Sequence, residues 1–242
     1  MNALILRLSA PLQSWGTQSR FSVRDTGREP SKSGIVGLLA AALGRQRGVD
    51  VSDLMQLNLA VRIDRDGVLR RDYQTAGGGR LPDGRDYGVA KANGGKPATV
   101  TSSRYYLADA DFRVALGSND LRLLNALAAA IENPAWPLFL GRKAFVANPD
   151  LSRGVREGVS VFEAMQTEPW FYRSKRELEH FYESGKLRAV LDVDDPRNGD
   201  DVRTDVTNSF TTRDFQLRHV KTDWITLSPE LLLEDTTCFC HN

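Results

Sequence analysis

The sequence predicts an α+β fold: a ferredoxin-like core, as in RRM domains, with a projecting β-hairpin insertion and a C-terminal extension. Two observations support this. Up to Ile131 the apolar patterning runs strand, helix, strand, strand, glycine-rich insert, strand, helix, close to a split β-α-β-β-α-β arrangement with one insertion. The chain, at 242 residues with 41% hydrophobic and 26% charged content, is long enough for one such domain with insertions. We treat residues 1–242 as a single domain, with an arm at 71–108 and a C-terminal part at 137–242.

The elements follow in order. Leu4, Leu6 and Leu8 alternate with Ile5 and Arg7, a short strand buried on both faces near its start. Pro11 ends it, and Gln13-Ser14-Trp15-Gly16 makes a turn. Ser31 or Ser33 caps the next helix. Its core face is Ile35, Leu38, Leu39, Ala42 and Leu43, the small residues Gly37, Ala40 and Ala41 lie opposite, and Gly44 suits the position past its end. Residues 59–63 alternate as a strand, and Asp64-Arg65-Asp66-Gly67 reads as a hairpin turn returning at Val68. Residues 71–104 hold Gly77-Gly78-Gly79, Pro82-Asp83-Gly84 and Asn93-Gly94-Gly95. A stretch so poor in apolar residues builds no core of its own, and we expect an arm that orders at least partly on a partner.

Strands follow at 105–107 and 112–116, then a helix capped by Ser118 or Asn119 with Leu121, Leu124, Leu127, Ala128 and Ile131 as its apolar positions. Residues 137–145 form a strand-like run broken by Gly141, Arg142 and Lys143. Helices are expected at 157–166 and 174–184, strands at 187–193, 202–207 and 215–227, and an acidic turn at 194–201.

Net charge is +1, but unevenly spread: +6 over residues 1–109, +1 over 110–189 and −6 over 190–242. A basic first half suits a polyanion, and an acidic end suits a face turned away from it or toward another protein. No apolar run reaches membrane-span length. Cys238 and Cys240 are too close to staple a fold, which fits a reducing cytoplasm, and no Cys/His cluster completes a metal site.

Three basic features stand out: the 13–33 segment with Arg20, Arg24 and Lys32, the arm from Arg71 to Arg104, and Gly141-Arg142-Lys143. Cations for phosphates, glycines for close backbone approach and rings for bases are what single-stranded RNA binding uses. Trp15, Tyr105 and Tyr106 are the ring candidates, although burial under the loop is the better account of Trp15. The strand–loop–helix start, with Ser31 or Ser33 at its end, also offers helix N–H groups to an anion. Catalytic motifs are missing: there is no nucleotide-binding glycine loop or Gly-x-Ser-x-Gly elbow. His219 and Lys221, two apart on one strand face, are the best pair for metal-independent RNA cleavage. No cofactor is called for.

Residues 6–16, Leu-Arg-Leu-Ser-Ala-Pro-Leu-Gln-Ser-Trp-Gly, resemble the N-terminal signature of the CRISPR-associated CasD family, the RAMP-type subunit of type I-E Cascade. Residues 30–39 look like that family's loop-to-helix segment, Arg71-Asp72-Tyr73-Gln74-Thr75 like the start of its thumb, and Phe139-Leu140-Gly141-Arg142-Lys143 like its glycine-containing loop. The resemblance implies an RRM-like core with a projecting thumb. It implies a non-catalytic subunit that grips the 5′ handle of CRISPR RNA at one end of a surveillance complex in antiviral defence. Its neighbours would be a backbone subunit and the large subunit, with target DNA met only through the complex. Relatives in another subtype cleave precursor RNA, so processing of repeat RNA is the alternative. The expected RNA-binding residues are Gln13, Ser14, Trp15, Gly16, Arg20, Arg24, Ser31, Lys32, Ser33, Arg71, Arg104, Tyr105, Tyr106, Gly141, Arg142 and Lys143.

Overall fold

The structure, a computed structural model, describes residues 1–17, 19, 22–91, 93–211 and 214–235. Arg20, Cys238 and Cys240 lie outside the described residues. In chain order the elements are β1 (Asn2–Ser9), β2 (Leu12–Gln13), β3 (Val23–Arg24), α1 (Lys32–Ala42), α2 (Ser52–Met55), β4 (Asn58–Arg65), β5 (Val68–Ala76), β6 (Gly79–Arg80), β7 (Asp86–Tyr87), β8 (Val100–Ala108), β9 (Asp111–Ser118) and α3 (Leu121–Glu132). Then come β10 (Ser152–Arg156), α4 (Val161–Thr167), β11 (Trp170–Tyr172), α5 (Lys175–Ser184), β12 (Leu187–Val193), β13 (Asp201–Val206), β14 (Gln216–Ile225) and β15 (Leu232–Glu234).

The main sheet has the order β10-β1-β9-β4-β12-β14-β13, antiparallel throughout. Strand alternation gives it two buried faces. Leu4, Leu6 and Leu8, with Leu59, Val61 and Ile63 of β4 and Phe112, Val114 and Leu116 of β9, join the core that holds α1 and α3. Ala3, Ile5, Ala60 and Ala115 point the other way, into a second core with α4, β11 and α5. The C-terminal strands β12, β13 and β14 extend this same sheet. No helix among the described residues is long and apolar enough to cross a membrane.

Several expectations need correction. The chain does turn after β4, but β5 does not pair with it. Both edges of β4 are taken, by β9 and β12, so β5 pairs along its whole length with β8, Val68↔Ala108 through Ala76↔Val100. Gly67 steers this departure at φ 71°, where an added Cβ would come within 2.7 Å of the Ala108 carbonyl oxygen. The insert is therefore a paired hairpin within the chain itself, beginning at Val68, and its far end holds a small β6–β7 ladder. Residues 137–145 form no strand; Phe139 makes an isolated bridge with Val146 instead.

Capping follows one of the two expected residues at α1 and differs at α3. Ser31 caps α1, accepting from the Gly34 N–H at 3.3 Å, while Ser33 lies inside the helix. Asp120, not Ser118 or Asn119, caps α3, accepting from Arg122 N and Leu123 N; its carboxylate reaches both first-turn donors, and Ser118 Oγ instead accepts from Asp120 N. The helix expected at 157–166 begins at Val161, where Ser160 and Glu163 form a capping box.

Candidate nucleic-acid interface

The turn after β1 is built around two buried side chains. Gln13 Nε2 donates to the Leu8 and Ala110 carbonyls, each at 2.8 Å, and its Oε1 accepts from Trp15 Nε1 at 3.2 Å. The Trp15 ring is thereby held under the start of α1, where a Cβ on Gly34 would come within 2.9 Å of it. Trp15 N donates to Thr26 Oγ1 and its carbonyl accepts from Gly27 N, so the loop between them is closed at its neck.

A second turn meets the first. Ser14 N donates to the Leu140 carbonyl at 3.1 Å, and Ser14 Oγ donates to the Tyr105 carbonyl at 3.3 Å. Gly141 has φ 94°, and a Cβ there would fall 1.8 Å from the Ser14 carbonyl oxygen. The neighbouring Arg142 donates from Nη2 to that same Tyr105 carbonyl at 2.7 Å and lies 5.5 Å over the Phe145 ring. The 13–16 turn, the 139–142 turn and the base of the hairpin are thus joined through Ser14 and Tyr105. We predict that Gly141→Ala lowers stability by more than about 1 kcal/mol, because it combines a left-handed φ with a backbone clash; thermal unfolding of the pure chain checks this, and an unchanged midpoint contradicts it.

Between these parts lies an open cleft of about 580 Å³, lined by Ser14, Gly16, Arg24, Ser31, Ser33, Arg104, Gly141 and Arg142, with Phe210 and Phe215 from the C-terminal part. Arg24 and Arg104 stand side by side, in register on the parallel β3–β8 pair. Burial, and then the neighbouring Arg104 charge, hold the Arg142 guanidinium below its ordinary pKa; Arg24 pushes the same way, while Asp72 opposes. An anion in the cleft would relieve the like-charge part of this depression, which is smaller than the part due to burial. The carboxylate at the cleft, Asp25, is already engaged by Thr17 N, Thr17 Oγ1 and Ser19 Oγ.

Comparison with known proteins identifies the relatives of this arrangement. A family model described as CRISPR-associated protein (Cas_Cas5) matches residues 3–221. The chain belongs to the Cas5 family of CRISPR-associated proteins. The "CRISPR system Cascade subunit CasD" of Escherichia coli (strain K12) is 38% identical over 155 residues, 58% of this chain and 65% of that protein, so the match spans slightly under two thirds of the relative. Two solved structures resemble the chain along nearly its whole length. One, titled "CRISPR RNA-guided surveillance complex", superposes with TM-score 0.78 at 32% identity, covering 95% of this chain and 92% of that one. The other, "Crystal structure of Cas protein", gives TM-score 0.70 at 36% identity, covering 96% and 98%.

In this Cas5-family chain the structure sorts the expected residues into groups. Gln13 is buried, shapes the turn and stays out of the cleft lining; Trp15 is buried too, but its edge joins Ser14, Gly16, Arg24, Ser31, Ser33, Arg104, Gly141 and Arg142 in lining the cleft. Lys32 is corrected: its Nζ is held by Asp192 at 2.7 Å in a nearly buried pair, so it is not offered to phosphate. The start of α1 is likewise taken, since Lys32 N donates to Asp205 Oδ2 at 2.7 Å. The anion at this helix start is an internal carboxylate, fixed in turn by Arg218, which also pairs with Asp192. Asp192 and Asp205 of the acidic end therefore serve the interior. Tyr105 and Tyr106 are both half-buried, with Tyr106 packed 5.8 Å from Phe145, and neither lines the cleft. Arg71 and Lys143 are exposed and also lie outside its lining.

Phe210 and Phe215 went unseen at the sequence level. Their presence in the cleft comes from the pairing of β13 and β14 at the far end of the sheet, and no local pattern signals it. Nor do His219 and Lys221 reach the cleft: Lys221 Nζ pairs with Asp223 at 3.0 Å.

Proposed function

We propose that this chain is a non-catalytic, RNA-binding subunit of a CRISPR surveillance complex that grips the 5′ handle of CRISPR RNA. The carrying observation is the convergence of Arg24, Arg104 and Arg142 in one open cleft beside exposed aromatic surface. Likeness to a Cascade subunit and to a chain from an RNA-guided surveillance complex supports the setting. In this reading β1, α1, β4, β9, α3 and β10 are the split β-α-β-β-α-β core of a single domain, because their strands have the spatial order β10-β1-β9-β4, all antiparallel. The β5–β8 hairpin is an inserted thumb whose base forms one wall of the cleft. A backbone subunit and the large subunit are the neighbours, and target DNA is met through the assembly.

The test is binding of a labelled single-stranded RNA to the pure chain, in EDTA, over a salt series. The logarithm of the affinity is expected to fall linearly with the logarithm of salt, with a slope of about −0.7 for each phosphate held. The RNA is expected to remain intact. Salt-independent binding, or none, would sink the RNA-gripping role, and specific scission lost in His219→Ala would establish the endoribonuclease alternative instead.

A further inference from the structure

Two phenylalanines of the C-terminal part complete the wall of the basic cleft. Phe215, immediately before β14, lines the cleft yet keeps 38% of its surface exposed. It belongs to neither hydrophobic core among the described residues, whereas Phe210 packs against the main one. Phe210 lines both the cleft and a neighbouring groove of about 430 Å³ along α1, where a Cβ on Gly37 would meet its ring at 3.7 Å. Phe210 is thus anchored, and Phe215 is a ring left open to solvent.

An open ring beside three guanidiniums has a definite chemical complement. Burying a phenylalanine side chain is favourable, so an uncovered ring leaves binding energy unused. Its partner has to be flat and apolar on its face but attached to an anion, because Arg24, Arg104 and Arg142 share the same cleft. An unpaired nucleobase on its phosphate meets both conditions. A protein segment would cover the ring as well, but the cationic lining favours the polyanion.

We propose that Phe215 is a stacking platform for one unpaired base of the RNA whose phosphates lie on Arg24, Arg104 and Arg142, with Phe210 fixing the wall beside it. This rests on the RNA-binding reading above and adds to it a base-directed contact from the C-terminal part.

The experiment measures fluorescence anisotropy of a single-stranded RNA of about twelve nucleotides. A matching strand with abasic sites in place of bases is measured alongside. Phe215→Ala is expected to weaken binding of the intact RNA roughly 5- to 150-fold, the range for one lost aromatic–base stack. The salt slope stays unchanged, since stacking releases no counterions. Phe215→Trp restores affinity, and the abasic strand does not distinguish Phe215→Ala from the parent. Arg104→Ala, by contrast, flattens the salt slope on both strands. If Phe215→Ala binds intact RNA like the parent while Arg104→Ala is impaired, the platform is overturned and the RNA-binding reading stands. If Phe215→Ala weakens both strands equally, the ring acts structurally and the platform is again overturned. If neither variant has an effect, both readings fail.

Discussion

Arg7→Met is expected to destabilise the chain by about 3–5 kcal/mol, a large share of the roughly 5–15 kcal/mol that holds an ordinary domain together. Arg7, Arg113 and Arg62 stand in a row across β1, β9 and β4, and all three are fully buried. Such a row survives only where acids and carbonyls surround it. Arg7 is held by Asp111 at 2.7 Å, Asp235 at 2.8 Å and Asp150 at 2.9 Å, and lies 4.5 Å over the Phe171 ring. Arg62 engages Asp64 and donates to the Glu168 and Pro169 carbonyls. Burial works against the charge on Arg7, but the hydrogen bonds and charges of Asp111 and Asp150 outweigh it and raise its pKa above the ordinary guanidinium value. Methionine would fill the volume yet remove the guanidinium that hydrogen-bonds Asp111 and Asp235 in the interior, leaving them Arg65 and Arg173 at 4.0 Å. Arg7→Lys keeps the charge but loses the fork that reaches three acids, so an intermediate loss is expected. Urea denaturation of the three proteins checks this. A loss below about 1 kcal/mol for Arg7→Met would show that the row does not anchor the fold.

Replacing Arg24, Arg104 and Arg142 together with alanine is expected to reduce RNA affinity at least about 1,000-fold at low salt, taking roughly 1.5 kcal/mol or more for each charge-assisted contact. The magnitude of the salt slope should fall by about two units, three contacts at about 0.7 each. The fold should persist: Arg24 is exposed, and Arg142 gives up a single hydrogen bond to the Tyr105 carbonyl. Anisotropy titrations at several salt concentrations, with circular dichroism as the fold control, decide it. A triple variant that binds with the parent's affinity and slope would move the RNA site elsewhere on the chain.

Much of the fold was legible in local pattern. Helix α1 could be read because cap, apolar spacing and terminating glycine lie within fifteen residues, and the φ of 71° at Gly44 bears this out. The longer strands up to α3 were readable for the same reason, but their pairing was not: β5 joins β8 and leaves both edges of β4 to β9 and β12. The basic segments were visible too, and Arg24, Arg104, Gly141 and Arg142 do come together. Lys32 failed as a phosphate ligand because its partner, Asp192, lies 160 positions away. The acidic end likewise looked like a surface until its carboxylates were seen to neutralise Lys32, Arg218 and Arg7 in the interior.

Everything set by neighbours in the chain can be read from residue order: the alternation of β1, the apolar face and terminating glycine of α1, the turn at Gln13–Gly16 and the cationic character of the first half. Which charges remain available to a ligand depends instead on contacts between distant strands. A buried cation needs an acid from another strand, and a cation left facing solvent is one for which the fold supplied too little counter-charge. Sheet pairing makes that choice, bringing Asp192 and Asp205 to the start of α1 and Asp111 and Asp235 to Arg7, while Arg24, Arg104 and Arg142 are gathered into the cleft with Phe215 beside them.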